Sequence, residues 1–299
     1  MSLAPVSPAP PGEPLAAPAG RGRPRARVTR LPEAATGRAV VVGLGPGVTG
    51  RGALVWAADE VARTASQLLV LDCVGPRGSR AELRGRGGRL VAFLDDLPAV
   101  PLRLRCVLGQ PADALLAATD RCGVLVLGRD EDVLGLDEVL VVQGSRRPVA
   151  VVPDGWRPGR WPGAVVVALG ETGGALDRCQ RRALATALVV AARRAVPVTV
   201  LADWRSFASG PDRRAVLSRF RQRAELLRDA VAPVVEAYPT VTVEVDVPVA
   251  DAGAGVLRHA SLAGLVVLPR PARSAPGGPG AVAFWDCLDR SRAPVLVVP

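Results

Sequence analysis

From Ala39 onward, short runs of valine and leucine alternate with stretches in which apolar residues recur every three to four positions. The first five runs are Ala39–Gly43, Leu68–Asp72, Leu102–Val107, Val124–Gly128 and Val149–Val152. Apolar at successive positions, they offer hydrophobic side chains to both faces of a sheet, which predicts buried parallel strands covered by helices on each side. Between the first two runs, Ala53, Leu54, Ala57 and Val61 fall at helical spacing and predict a stripe facing that sheet. Five strands joined by right-handed crossovers make a doubly wound α/β domain.

The pattern then returns. AVVVGLG at Ala39 reappears as AVVVALG at Ala164, and RGALVWAADEVAR at Arg51 as RRALATALVVAAR at Arg181. GVLVLGR at Gly123 reappears as GLVVLPR at Gly264, and PVAVVP at Pro148 as PVLVVP at Pro294. The offsets are 125, 130, 141 and 146, so the second copy is the same unit lengthened by insertions. Ala183, Leu184, Ala187, Leu188 and Ala191 restate the helical stripe. The chain therefore divides into residues 38–153 and 164–299, with the Gly- and Pro-punctuated linker Asp154–Gly163 between them. The second copy carries a longer helix, predicted over Asp212–Val231. Val216, Phe220, Ala224, Leu227 and Val231 lie on one face, and arginines fill much of the rest. A sheet-covering helix with a solvated outer face accounts for it.

Residues 1–37 are rich in Pro, Ala, Gly and Arg, lack hydrophobic periodicity, and are expected to be disordered. Five arginines between Arg21 and Arg30 make the segment a solvated tail. Its removal is expected to leave the melting temperature unchanged, because it contributes almost no apolar burial. Comparing the full chain with one starting at Arg38 checks this, and a drop of many degrees would contradict it.

Composition changes the picture in two places. The formal charge of +10 suggests nucleic acid, but all 38 basic residues are Arg, and the 299 residues include no Lys, Ile or Asn. Those three residues have A/T-rich codons, so a GC-rich coding sequence accounts for the bias and argues against a nucleic-acid partner. Cys73, Cys106, Cys122, Cys179 and Cys287 are dispersed without a C-x-x-C pair, which fits a reducing cytoplasm. Cys73, Cys106 and Cys122, in or beside predicted strands and helix ends, read as small buried hydrophobes. No apolar run approaches the length of a membrane span, and the start lacks the pattern of a secretory signal.

The sharpest local signal is GLGPGVTG, Gly43–Gly50, between a predicted strand and helix. It contains G-x-G-x-x-G at Gly45, Gly47 and Gly50, with Asp72 closing the next strand. In a dinucleotide-binding fold such glycines admit a pyrophosphate to the helix N-terminus, and the acid holds the ribose. Nothing downstream supplies the His, Tyr or Lys a dehydrogenase would use, and the single histidine, His259, lies in the second copy.

The same residues resemble the opening of universal stress proteins, a strand ending in V-G-x-D-G-S followed by A-L-x-W-A. Val42–Gly47 occupies the loop and Ala53–Ala57 the helix motif. Val107–Ala112 is similar to the family's V-x-x-G-x-P-A, Leu125–Gly128 to its fourth strand, and Pro148–Pro153 to its closing P-V-x-V-V-P. With the duplication, the chain resembles the tandem, actinobacterial type. The resemblance implies two five-stranded parallel sheets. It also implies an ATP site built from an Asp in the first loop and a G-x-x-G, nine residues, G-S/T loop for the phosphates.

The chain departs from that site at nearly every point. Gly45 and Gly170 stand at the Asp position, Arg129-Asp130-Glu131 follows Gly128, and Gly135-Leu136 replaces the Gly-Ser pair. Gly144-Ser145 sits too near the last strand and reads as a helix cap. In the second copy Pro269 replaces the first glycine, and Gly277, Gly278 and Gly280 are spaced differently among prolines, which lack a donor for phosphate. Gly43, Gly45, Gly47, Gly109, Gly128 and Gly135 are thus the residues of a vestigial nucleotide site. No cofactor is expected beyond weak ATP or ADP, and no metal or catalytic residue. The family's last strand pairs with its counterpart in another domain, so Val149–Val152 is expected to pair with Val295–Val298 in a pseudo-dimer. The resulting expectation is a non-catalytic stress-response regulator acting on a protein partner. The alternatives are an adenine-nucleotide switch using Gly43–Gly50, marked by bound adenylate, and an NAD(P)-binding enzyme, marked by hydride transfer.

Overall fold

Alternate side chains of each apolar run pass to opposite faces of one sheet. In β1 (Val40–Leu44), Val40, Val42 and Leu44 enter one hydrophobic core while Val41 enters another. The structure, a computed structural model, describes residues 39–45, 50–75, 100–120, 122–130, 134–159, 163–170, 174–201, 213–247, 252–271 and 279–299, with Gly85, Leu90 and Leu97. The tail lies outside them.

The other strands are β2 (Leu68–Val74), β3 (Leu102–Leu108), β4 (Val124–Arg129), β5 (Val149–Pro153), β6 (Val165–Ala168), β7 (Val198–Leu201), β8 (Val243–Asp246), β9 (Leu265–Pro269) and β10 (Val295–Val298). The described helices are α1 (Arg51–Thr64), α2 (Pro111–Thr119), α3 (Leu136–Gly144), α4 (Arg178–Arg194), α5 (Arg213–Val235), α6 (Ala252–Ala260) and α7 (Pro279–Arg290). The ten strands form one sheet in the order β3-β2-β1-β4-β5-β10-β9-β6-β7-β8. Read outward from the centre, both halves give fifth, fourth, first, second, third. Neighbours within each half are parallel, and β5 meets β10 antiparallel, Val151 opposite Val295 and Val149 opposite Val297. Helices α1, α4 and α5 cover one face and α2, α3, α6 and α7 the other, so the fold is a three-layer α/β/α sandwich.

The strands begin within a residue of where the apolar runs place them. Helix α5 starts at Arg213 and runs to Val235, beyond the predicted end; Leu227 and Val231 are buried and Ala224 packs against the core. The side chains of Val216 and Phe220 lie outside the described residues. Cys73 and Cys122 are buried, but Cys106 is exposed, contrary to its expected burial. It belongs to β3, one of the two edge strands, whose later side chains are only partly covered.

Polar contacts tie the halves across the seam. Glu60 on α1, 7% exposed, pairs with Arg193 at 3.1 Å and Arg194 at 3.0 Å on α4. On the other face two contacts mirror one another. Arg129 at the end of β4 donates to the carbonyl of Ser291, just after α7, and Arg270 after β9 donates to the carbonyl of Ser145, which caps α3.

Candidate anion-binding site

In an open parallel sheet, ligands settle beyond the carboxyl ends of the strands at the point where strand order reverses. Here that point lies between β1 and β4 in the first half and between β6 and β9 in the second. Helix N-termini opening there present N–H groups without helical partners, which suit an anion. In this chain its own carboxylates take several of those donors.

Helix α1 begins after Gly50, whose φ of 58° places it in the left-handed region and which has no side chain to cap the helix. Asp154 supplies the cap from a distance: its Oδ1 accepts the Gly52 N–H at 3.2 Å. The Asp154 N–H donates in turn to the Arg129 carbonyl at 3.0 Å, so one residue bridges the end of β4 and the start of α1. Gly52 permits this approach, because a Cβ there would collide with the Pro153 carbonyl.

Helix α3 starts after Gly135, again without a side-chain cap from that residue. The Glu138 carboxylate lies over the glycine, where a Cβ on Gly135 would collide with Oε2, and the backbone N–H groups of Gly135 and Glu138 favour its charged form. A Cβ at Gly45, at the end of β1, would be 3.9 Å from Glu138 Oε1, so the same carboxylate reaches toward the first loop. Immediately before α3, the Leu134 N–H donates to Asp289 Oδ1 at 3.1 Å, a residue of α7 in the other half. In the second half, Asp177 caps α4: its side chain accepts the Gln180 N–H at 2.8 Å while Gln180 Oε1 accepts the Asp177 N–H at 2.8 Å. Gln180 Nε2 then donates to the Leu169 carbonyl, just beyond β6, at 2.9 Å.

Burial pushes the Glu138 carboxyl above the ordinary glutamate range, and Asp137 and Asp130 push it further, against the pull of the two backbone N–H groups. A folded-state value above the unfolded one gives a contribution that favours folding at low pH and is lost as pH rises through the folded value. Glu138→Gln is therefore expected to melt above the wild type at neutral pH, the gain vanishing near about pH 4, where the carboxyl is protonated. Thermal melts at the two pH values check this, and equal melting at both would contradict it.

No protein-family model matches the chain, and no curated protein matches it. Among solved structures, a universal stress protein from Archaeoglobus fulgidus DSM 4304 superposes with a TM-score of 0.61 at 14% identity, covering 87% of this chain and 97% of its own. A putative universal stress protein from Pseudomonas aeruginosa UCBPP-PA14 gives 0.55 at 18% identity, covering 89% and 93%. A protein of unknown function from Pseudomonas aeruginosa PAO1 gives 0.54 at 16%, covering 89% and 92%. The chain has the universal stress protein fold.

Within that fold the residues singled out from the sequence are dispersed. Gly43 lies inside β1, where a Cβ would crowd Leu115, so packing accounts for it. Gly128 is buried in β4 opposite Val152. Gly109 follows β3 with φ 142° and open space around it. Gly45 and Gly135 do come together, with Glu138 between them; Gly47 lies outside the described residues, as do Glu131, Gly277 and Gly278. Gly280 is in the first turn of α7. Asp72 does not close β2, which continues to Val74; it is 1% exposed and pairs in register with Leu44 and Cys106, away from the open position a ribose-binding acid requires. His259 is engaged structurally, Nε2 2.9 Å from Asp246 and Nδ1 2.9 Å from the Gly255 carbonyl. Burial pushes the Cys122 thiol to about 11 and the Cys287 thiol to about 12, which leaves both protonated and weakly nucleophilic. Among the described residues no cluster of three or more His, Cys, Asp or Glu stands ready to hold a metal, and no helix is long and apolar enough to cross a membrane.

Proposed function

We propose that the chain is a non-catalytic, universal-stress-protein-like regulator of the tandem type, cytoplasmic, whose nucleotide sites are degenerate and which acts through contacts with a protein partner. One observation carries the proposal. The carboxylates of Glu138, Asp154, Asp289 and Asp177 occupy backbone donors at or beside the helix N-termini α1, α3 and α4. A phosphate arriving at Gly135 would have to displace a carboxylate and sit against its charge, with Asp130 and Asp137 nearby. Leu136 offers no hydroxyl where the family resemblance implies one. Arg129, the cation at the end of β4, is 6% exposed and directed to Ser291.

The test is the nucleotide content of protein purified from cells without added ligand. Denaturing it and quantifying released adenylates by chromatography is expected to give far less than one nucleotide per chain. Stoichiometric adenylate would favour the nucleotide switch instead.

A further inference from the structure

Over the seam, on the face covered by α1 and α4, those two helices and residues of β1, β4, β9 and β10 line a cavity of about 320 Å³. Its walls are mostly apolar, with Val40, Val124, Val190, Leu265 and Leu296 among them. The acceptors on its polar rim are engaged. Each Glu60 carboxylate oxygen is held by an arginine, and the Glu60 carbonyl accepts from Thr64, whose hydroxyl also meets Ser66 at 2.8 Å. Thr186 donates to the Arg182 carbonyl, and the carbonyls of Ala39 and Pro148 receive the N–H of Gly123 and Leu125.

Donors remain. Trp56 is 2% exposed, and its buried indole N–H has no partner among the described residues. Arg193 pairs with Glu60 through one nitrogen, while its side chain is 37% exposed. Two guanidinium groups against one carboxylate leave a surplus positive charge. Apolar walls, donors without matching acceptors and a net positive rim together suit an amphipathic anion. We propose that this cavity binds a small amphipathic carboxylate, its apolar body between α1 and α4 and its carboxylate accepting from Arg193. The site lies under α1 and α4, on the other face of the sheet from α3 and Glu138.

Octanoate is the probe and octan-1-ol its neutral counterpart, each titrated calorimetrically into the full chain. The wild type is expected to bind octanoate saturably, one per chain. Val190→Trp, which fills the cavity from α4, should weaken octanoate at least about tenfold. Thr186→Trp, one turn earlier, is a second filler should the first fail to fold. Arg193→Gln, at an exposed position, should weaken octanoate at least about fivefold while leaving octan-1-ol unchanged. Absence of saturable octanoate binding would overturn the proposal, as would an unchanged isotherm in a filler variant that melts like the wild type. Equal weakening of acid and alcohol by Arg193→Gln would overturn the carboxylate assignment.

Discussion

Val151→Asp should lower the melting temperature by roughly 10 °C and open the seam to protease. Val151 is 1% exposed, faces Val295 across the antiparallel pairing of β5 with β10, and belongs to the core beneath α3 and α7. An aspartate there would bury an unpaired charge, at a cost of about 3–5 kcal/mol. For a fold of this size each kcal/mol shifts melting by roughly 2–4 °C. Val297, 2% exposed and opposite Val149, should behave in the same way. Val189→Asp on the outer side of α4, where the native side chain is 40% exposed, is the control and should stay within about 0.5 kcal/mol of wild type. If Val151→Asp and Val297→Asp both keep wild-type melting and proteolysis patterns, the halves are held together elsewhere.

The second large effect is a gain. Glu138→Ala removes the carboxylate that lies over Gly135 and beside the backbone N–H groups at the start of α3. Charge-assisted hydrogen bonds to such donors are worth about 1.5–3 kcal/mol. Pyrophosphate affinity should therefore rise at least about tenfold over wild type, since each 1.4 kcal/mol is about one decade. Adding Asp154→Ala, which frees the Gly52 N–H, should raise it further. Unchanged pyrophosphate binding in the double variant would mean that the carboxylates are not what keeps anions out.

The sheet was legible because its strands are continuous in sequence: a Val-rich run apolar at every position has few other places to go than the middle of an α/β/α sandwich. The Asp177–Gln180 capping box has its two partners only three residues apart, and the reading of the sequence passed over it. The Ser145 cap was read correctly from its closeness to β5. What sequence reading missed is the set of carboxylates at the other helix starts. Asp154 lies 102 residues from its donor Gly52, and Asp289 lies 155 from Leu134. No local pattern marks such pairs; the fold brings them together. The departures from the loop that the family resemblance implies, an Asp and a hydroxyl, were visible in the sequence; the carboxylates beside Gly52 and Leu134 were not. Asp72 was misplaced for a related reason, since β2 runs two residues further than the apolar run suggests. Trp56 read as one residue of a helix motif, and only the meeting of α1 with α4 sets it on a cavity wall.

Calorimetric titration of ATP into the purified, nucleotide-free wild type tests the central claim most directly. With internal carboxylates on the helix N-termini of both halves, the dissociation constant should be no tighter than about 0.1 mM, roughly −5.5 kcal/mol. Micromolar binding to either half would contradict the closed-site account and restore the nucleotide switch.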